Sequence, residues 1–329
     1  MKIFCALILI LFMLPSVSSA KDFTAWNLND MIHPQLKEGL MKVPYFELTP
    51  ETLGTLRKVL AGNPELLPKD DSVDVRNEII GSNLRVRIYT PKTGAEKYPV
   101  LLWLHEGGFI SGVPEMDERL ILKIVKAVRC IVVSPDYRLA PENPCRAAFD
   151  DCYETLLWAT ENLPIRKDRL AVGGCSAGAT LAASMALMAR DRKGPQICFQ
   201  FLLYPHVDFV NDTPSMRQIN DTRVWCRELE LTSRKFYPEN ADGKLPDFMS
   251  PALADDLSGL PPAYILTGTL DVFRDEIVNY AQRLMQSGVP VELHVIPGIV
   301  HACEFLFPNA PVCVKFVNEY INALSEALK

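Results

Sequence analysis

The sequence predicts an α/β fold, a mostly parallel, doubly wound sheet with helices on both faces and a helical cap. Three observations carry this. Short β-rich runs recur along the chain: "LRVRIYT", "PVLLWLH", "CIVVSPD", "LAVGG", "FQFLLYP", "AYILTG" and "VELHVIP". Stretches of helical periodicity separate most of them, the rhythm of parallel sheets. Most runs are continuously apolar rather than alternating, as strands are when both faces of a sheet are covered. In such sheets ligands bind beyond the carboxyl ends of the strands, so the residues just after each run are the ones to read for chemistry.

Residues 1–20 stand apart from the fold. Lys2 precedes an apolar run from Ile3 to Leu14, then Pro15 and Ser18-Ser19-Ala20, the form of a secretory signal peptide with cleavage expected after Ala20. The run is shorter than the roughly 20 residues that span a bilayer, so no membrane insertion is expected after cleavage. The remaining 21–329 form one domain by length, and 48% of the chain is apolar, enough for a sizeable core. A net charge of −6 with no Lys/Arg cluster argues against a nucleic-acid partner. Of the nine cysteines, Cys5 lies in the leader. Cys145 and Cys152 fall in one expected helix, about 10.5 Å apart at Cα, too far for a disulfide. Connectivity of the rest is open, no cysteine or histidine spacing suggests zinc, and homodimer formation is open too.

Two amphipathic helices are expected before any strand. Leu36, Leu40 and Met41 share a face in the first. The second starts at Thr49-Pro50 and carries Leu53, Leu56, Val59 and Leu60. Between Tyr204 and Leu260 the βα rhythm lapses into a polar, helical stretch with Trp225 and Phe236. The cap is therefore expected from about 21–66 and about 207–250, packed together over the strand ends.

"GGCSAGAT", Gly173 to Thr180, follows the run "LAVGG" and opens the helix "ATLAASMALMA". A strand-to-helix turn this tight strains the serine backbone and needs neighbours without bulk, so the Ser176 hydroxyl stands clear at a helix start. A serine needs a base within hydrogen-bond reach and a third group to orient that base. The chain has five histidines. His33 lies in the first helical segment, His294 inside a strand, and His105 before two glycines in a structural setting. His206 follows "FLLYP", a position from which a residue can line the site, but His301, just past the last strand in "PGIVHACEF", is the best base. Asp271 ends the run "AYILTGTLD", whereas Asp275 and Glu276 fall where a helix has begun and are expected to make helix-terminal or salt-bridge contacts. The order Ser176, Asp271, His301 is that of α/β hydrolases. Amide donors for a developing oxyanion are offered by Gly107 and Gly108, after the strand "LLWLHEGG", and by Ala177 at the helix start.

With these motifs in place, the sequence resembles the hormone-sensitive-lipase-like esterases of the α/β-hydrolase fold, the bacterial class IV family, over nearly all of 21–329. The likeness rests on "HEGGF", "DYRLAPE" at Asp136 to Glu142, the G-x-S-x-G at Gly174 to Gly178, "SPALADDLSGLPPAYILTGTLDVFRDE" and "PGIVHACEF". It implies a helical lid, Ser176, Asp271 and His301 as triad, Gly107, Gly108 and Ala177 as oxyanion donors, and short- or medium-chain esters as small-molecule substrates, with no metal or cofactor. Three residues depart from the pattern. Cys175 stands where the family has Asp or Thr, Glu106 replaces the first glycine of its triplet, and Ala302-Cys303 replaces Gly-Phe. Glu106 is expected to point away from Ser176, into a salt bridge or solvent, because a carboxylate would oppose an oxyanion.

Two other readings compete with this one. Shifting the motif by one makes Cys175 the nucleophile, but Ala177 then fills the far side of the turn worse than Gly178 does. A catalytically weak or inactive small-molecule binder on this fold is the other, set against the presence of His301, which binding-only relatives lack. Asn211 and Asn220 each begin an N-x-T glycosylation match.

Overall fold

The computed structural model describes residues 25–62, 67–81, 83–210, 212–237 and 247–329. The expected signal peptide, the Asn211 sequon and part of the second cap segment lie outside them. Among the described residues an eight-stranded sheet runs in the order β1-β2-β4-β3-β5-β6-β7-β8. Its strands are β1 (Val73–Ile80), β2 (Leu84–Pro91), β3 (Tyr98–Leu104), β4 (Ile131–Pro135), β5 (Ile165–Cys175), β6 (Phe199–Leu203), β7 (Ala263–Leu270) and β8 (Val291–Val300). β2 pairs antiparallel with both β1 and β4, and all other pairs are parallel.

β1 is a strand that the sequence pattern does not announce. "VDVRNEII" has no apolar run because β1 is an edge strand, its middle residues partly or fully exposed, and it is held by pairing with β2. β8 also differs from expectation. It is the opposite edge, half-exposed along its first part, and it continues to Val300 rather than stopping at Pro297. The central strands are buried as expected, β4 along its whole length.

Helices cover both faces. The cover includes α1 (Leu28–Met31), α2 (Lys37–Leu40), α3 (Pro50–Ala61), α4 (Glu118–Val128), α5 (Arg146–Asn162), α6 (Ala177–Asp191), α7 (Pro214–Gln218), α8 (Arg227–Arg234), α9 (Arg274–Gln286), α10 (Cys303–Leu306) and α11 (Pro311–Leu328). α6 is buried from Ala177 to Ala189. Its many alanines allow close approach to the sheet, and a helix apolar all round belongs in a core. α3 begins as expected, with Pro50 in the first turn and a reciprocal Thr49/Thr52 capping box.

The first expected helix is instead broken into one-turn pieces, α1, a 3₁₀ turn from Pro34 and α2, because Pro34 cannot continue a helix. Leu36 and Leu40 are buried, but Met41 lies past the end of α2 and is 78% exposed. Val59 also faces solvent, at 70% exposure, since the inward stripe of α3 runs through Leu53, Leu56 and Leu60. The two cap segments are tied by backbone bonds from Trp26 N–H to Gln218 O (2.8 Å) and from Phe46 N–H to Thr222 O (3.1 Å). Cys145 and Cys152 are separate thiols, as are the other described cysteines, with Cys303 and Cys313 side by side at 3.2 Å.

Candidate active site

The chain passes from β3 out to β4 and returns on the other side of β3 as β5, so the strand order reverses there and leaves a crevice at the carboxyl ends. Leu104 of β3 is in register with Gly174 of β5. The loop after Leu104 and the turn after Cys175 therefore emerge side by side.

Ser176 sits on that turn with φ +50° and ψ −120°, outside the regions L-residues favour. Its glycines are forced by the neighbouring strand. A Cβ on Gly174 would lie 2.3 Å from Leu104 O, and one on Gly178 would lie 1.9 Å from the same oxygen. The Ser176 amide is anchored to Leu203 O at 2.9 Å.

On the far side of the crevice, Leu270 of β7 is in register with Val300 of β8. The next residue on each strand is Asp271 and His301, so sheet pairing alone puts acid beside base. Gly268 makes the approach feasible, because a Cβ there would meet Ile299 O at 2.0 Å. His301 Nδ1 lies 3.0 and 3.1 Å from the Asp271 carboxylate oxygens, and His301 Nε2 lies 2.8 Å from Ser176 Oγ. Phe273 N–H donates to Asp271 Oδ1 at 2.9 Å, fixing the fully buried carboxylate. Tyr204 and Phe273 pack edge-on against the imidazole.

The loop after β3 winds through positive φ at Gly107 (127°), Gly108 (60°), Phe109 (60°) and Gly112 (102°). A Cβ on Gly107 would overlap Ser111 O at 2.0 Å, so only glycine fits. Ile110 and Ser111 N–H both turn back onto Gly107 O. The amides of Gly107, Gly108 and Ala177 find no acceptor among the described residues. This fits three donors held ready beside Ser176 Oγ.

Several residues that brace this loop escape a reading of the sequence. "DYRLAPE" runs beneath it. Tyr137 OH donates to His105 O at 2.8 Å, and Ala140 N–H donates to Phe109 O at 2.9 Å. Arg57, reaching over from α3, donates to Ile110 O (2.7 Å), Ala140 O (2.6 Å) and the Glu142 carboxylate (2.8 and 2.9 Å). Tyr237 OH donates to Gly108 O at 2.9 Å. The strength of "DYRLAPE" as a motif was the signal for Tyr137. Nothing in the sequence singles out Arg57.

A cavity of about 210 Å³ opens over Ser176 and His301, walled by Phe46, Leu56, Leu60, Val224, Trp225 and Leu306, so both cap segments and α10 line it. His206 does not. It is buried between Phe209 and Phe273, and burial lowers its pKa to about 4. His105 is likewise fully buried, stacked on Tyr137, with its pKa lowered by burial to about 4. His33 caps the 3₁₀ turn, and His294 stacks on Tyr264 on the outer face of β8. Asp275 accepts from Ser215 N–H and pairs with Arg274, while Glu276 accepts from Val207 N–H at 2.8 Å.

The expectation for Glu106 needs correction. Its carboxyl makes no hydrogen bond to Ser176 Oγ, but it reaches neither solvent nor a salt bridge. It is 7% exposed, with no ion-pair partner among the described residues. Burial, with Asp117 and Glu304 nearby, pushes its pKa well above the usual carboxylate range, so it is neutral beside the oxyanion loop. Phe109, Ile110 and Ser111, further along the loop, are buried as well. Cys175 turns into a second cavity away from His301, and burial raises its thiol well above the usual range. That is the opposite of an activated nucleophile.

A serine, histidine and buried aspartate meeting at the strand ends of this sheet define an α/β hydrolase. The family model for the alpha/beta hydrolase fold matches residues 101–305. The esterase LipI of Mycobacterium tuberculosis is 34% identical over 272 residues, covering 81% of this chain and 84% of that protein. An arylesterase of Saccharolobus solfataricus is 32% identical over 265 residues, covering 78% and 85%. The solved structure of a bacterial heroin esterase superposes with a TM-score of 0.83 at 33% identity, covering 92% of this chain and 100% of that one. The chain belongs to the hormone-sensitive-lipase-like esterases of the α/β-hydrolase fold.

Proposed function

We propose that this protein is an exported serine carboxylesterase that hydrolyses short- to medium-chain carboxylic esters through an acyl-enzyme. The observation that carries the reading is the 2.8 Å contact of His301 Nε2 with Ser176 Oγ, backed by Asp271 on Nδ1. The Ser176 oxygen attacks the ester carbonyl as its proton passes to His301 Nε2. Asp271 holds the imidazole and stabilises its positive charge without taking the proton. The tetrahedral oxyanion is met by the amides of Gly107, Gly108 and Ala177. The alcohol leaves with the proton from His301, and water, deprotonated by the same nitrogen, releases the acid.

A cavity of about 210 Å³ with mostly apolar walls is smaller than the roughly 300–1,000 Å³ of drug-sized sites, which favours small esters. The names of the relatives, esterases and an arylesterase, support the same reaction class. Export rests on residues 1–20, and Edman sequencing of the mature protein should begin at Lys21. A panel of chromogenic esters graded by acyl length tests the reaction. Turnover should peak at short or medium chains and vanish in Ser176→Ala, and equal turnover by that variant would refute the assignment.

A further inference from the structure

A second cavity, of about 200 Å³, adjoins the one above Ser176. The two share Glu106, Met116 and Phe305 as a common wall. Three carboxyls line the second cavity: Glu106 from the oxyanion loop, Asp117 ahead of α4, and Glu304 in α10. Two of them have partners, since Trp103 Nε1 donates to Asp117 (2.8 Å) and Tyr204 OH to Glu304 (3.0 Å). Glu106 has none, although it is 7% exposed. Tyr320, on the same lining, buries its hydroxyl without a hydrogen-bond partner.

A protein does not leave such groups unmatched without cost. Among the described residues, no cationic side chain forms an ion pair with these carboxyls. Arg119 and Lys123 line the cavity with exposed side chains at its solvent edge. No three ligating side chains among the described residues converge to hold a metal ion. The space instead suits a larger organic cation, for which carboxylates supply charge and the Tyr204 and Tyr320 rings supply polarisable surface.

We propose that this second cavity is a specificity subsite for the alkylammonium end of a cationic ester, held by the carboxylates of Asp117 and Glu304, with Glu106 between it and the catalytic cavity, while the ester carbonyl lies at Ser176. The proposal rests on the esterase reading above and names a substrate class for it. The ammonium group must lie beyond the shared wall of Glu106, Met116 and Phe305, on the side away from Ser176. Burial raises the Asp117 pKa to about 6 and the Glu304 pKa to about 7, so by pH 8 both are ionised and the subsite is negative. The groups facing Glu304 are His301, Tyr204, Cys175, Tyr320, Asp117 and Glu106, and the cavity's outer edge carries the cations Arg119 and Lys123.

The test compares kcat/KM at pH 8 and low salt for matched ester pairs. In each pair one member carries a trimethylammonium group and the other a tert-butyl group of the same shape, once on the alcohol side and once on the acyl side. One pair should favour the cation by about tenfold or more, and Asp117→Asn/Glu304→Gln should bring that ratio toward unity. Independently, tetramethylammonium should raise the Tm of the wild-type protein at pH 8 more than sodium at equal ionic strength. Turnover of both members of both pairs at equal rates, with no Tm rise, overturns the subsite and leaves the esterase reading intact. A Tm rise without turnover of any ester supports the subsite and overturns the esterase reading.

Discussion

Gly178→Ala is the sharpest probe of how the serine turn is built. The added methyl would lie 1.9 Å from Leu104 O, where real Cβ atoms essentially never come closer than 3.0 Å, so β3 and α6 must separate by about 1.1 Å. Both carry amides aimed at the oxyanion: Leu104 leads into His105, Glu106 and Gly107, and Gly178 follows Ala177 directly. A misplacement of about 1 Å costs on the order of a hundredfold in rate, and overpacking of this kind costs about 1–3 kcal/mol of stability. Gly54→Ala is the control. Gly54 lies exposed in α3 with nothing within 4 Å of the new methyl. It should stabilise by about 0.5–1 kcal/mol without touching the reaction. The assay is kcat and KM on a chromogenic ester, with thermal and urea unfolding of the same preparations. Gly178→Ala should lose mainly kcat. If it keeps wild-type kcat and an unchanged Tm, the close approach of Leu104 O is not what demands glycine, and the reasoning fails.

The remaining predictions draw on the same geometry. Asp271→Asn, which leaves the shape but favours the wrong histidine tautomer, should lower kcat by about ten-thousandfold near pH 7 with little change in KM. Arg57→Met removes donors to Ile110 O and Ala140 O. The exposed pair with Glu142 contributes little, so the loss of about 1–3 kcal/mol in unfolding free energy should come from the two carbonyls and be accompanied by a fall in kcat. Glu304 has its pKa raised from 4.5 to about 7 in the folded protein. The unfolded chain therefore ionises first as pH rises, and native stability falls between pH 4.5 and 7 by up to about 3 kcal/mol. Glu304→Gln mimics the protonated acid, so its stability relative to wild type should be near zero at pH 4.5 and positive at pH 8. A constant difference across that window would show that its surroundings do not raise the Glu304 pKa.

What the sequence disclosed was chemistry tied to local chain geometry. Gly174, Ser176 and Gly178 could be read together because the turn that needs them is contiguous, and Asp271 could be chosen over Asp275 because strand ends face the crevice. The meeting of Asp271 with His301 could be inferred from chain order but its geometry could not, since it depends on the Leu270–Val300 register, a pairing across two strands and a helix. β1 left no trace because an edge strand needs no apolar run. Val59 and Met41 were misplaced because short helices leave their rotation to be set by what they cover. Glu106 was misjudged for a deeper reason. Sequence shows that a carboxyl is present but not that its surroundings keep it protonated, and burial beside Asp117 and Glu304 is a property of three separated segments.

The central claim is that Ser176, and no other side chain, is the nucleophile. The direct measurement is to react the folded protein with a fluorophosphonate and map the adduct by mass spectrometry. One stoichiometric adduct on Ser176, formed in parallel with loss of esterase activity and abolished in His301→Ala, is the predicted result; an adduct on Cys175, or none on folded protein that still turns over esters, would contradict it.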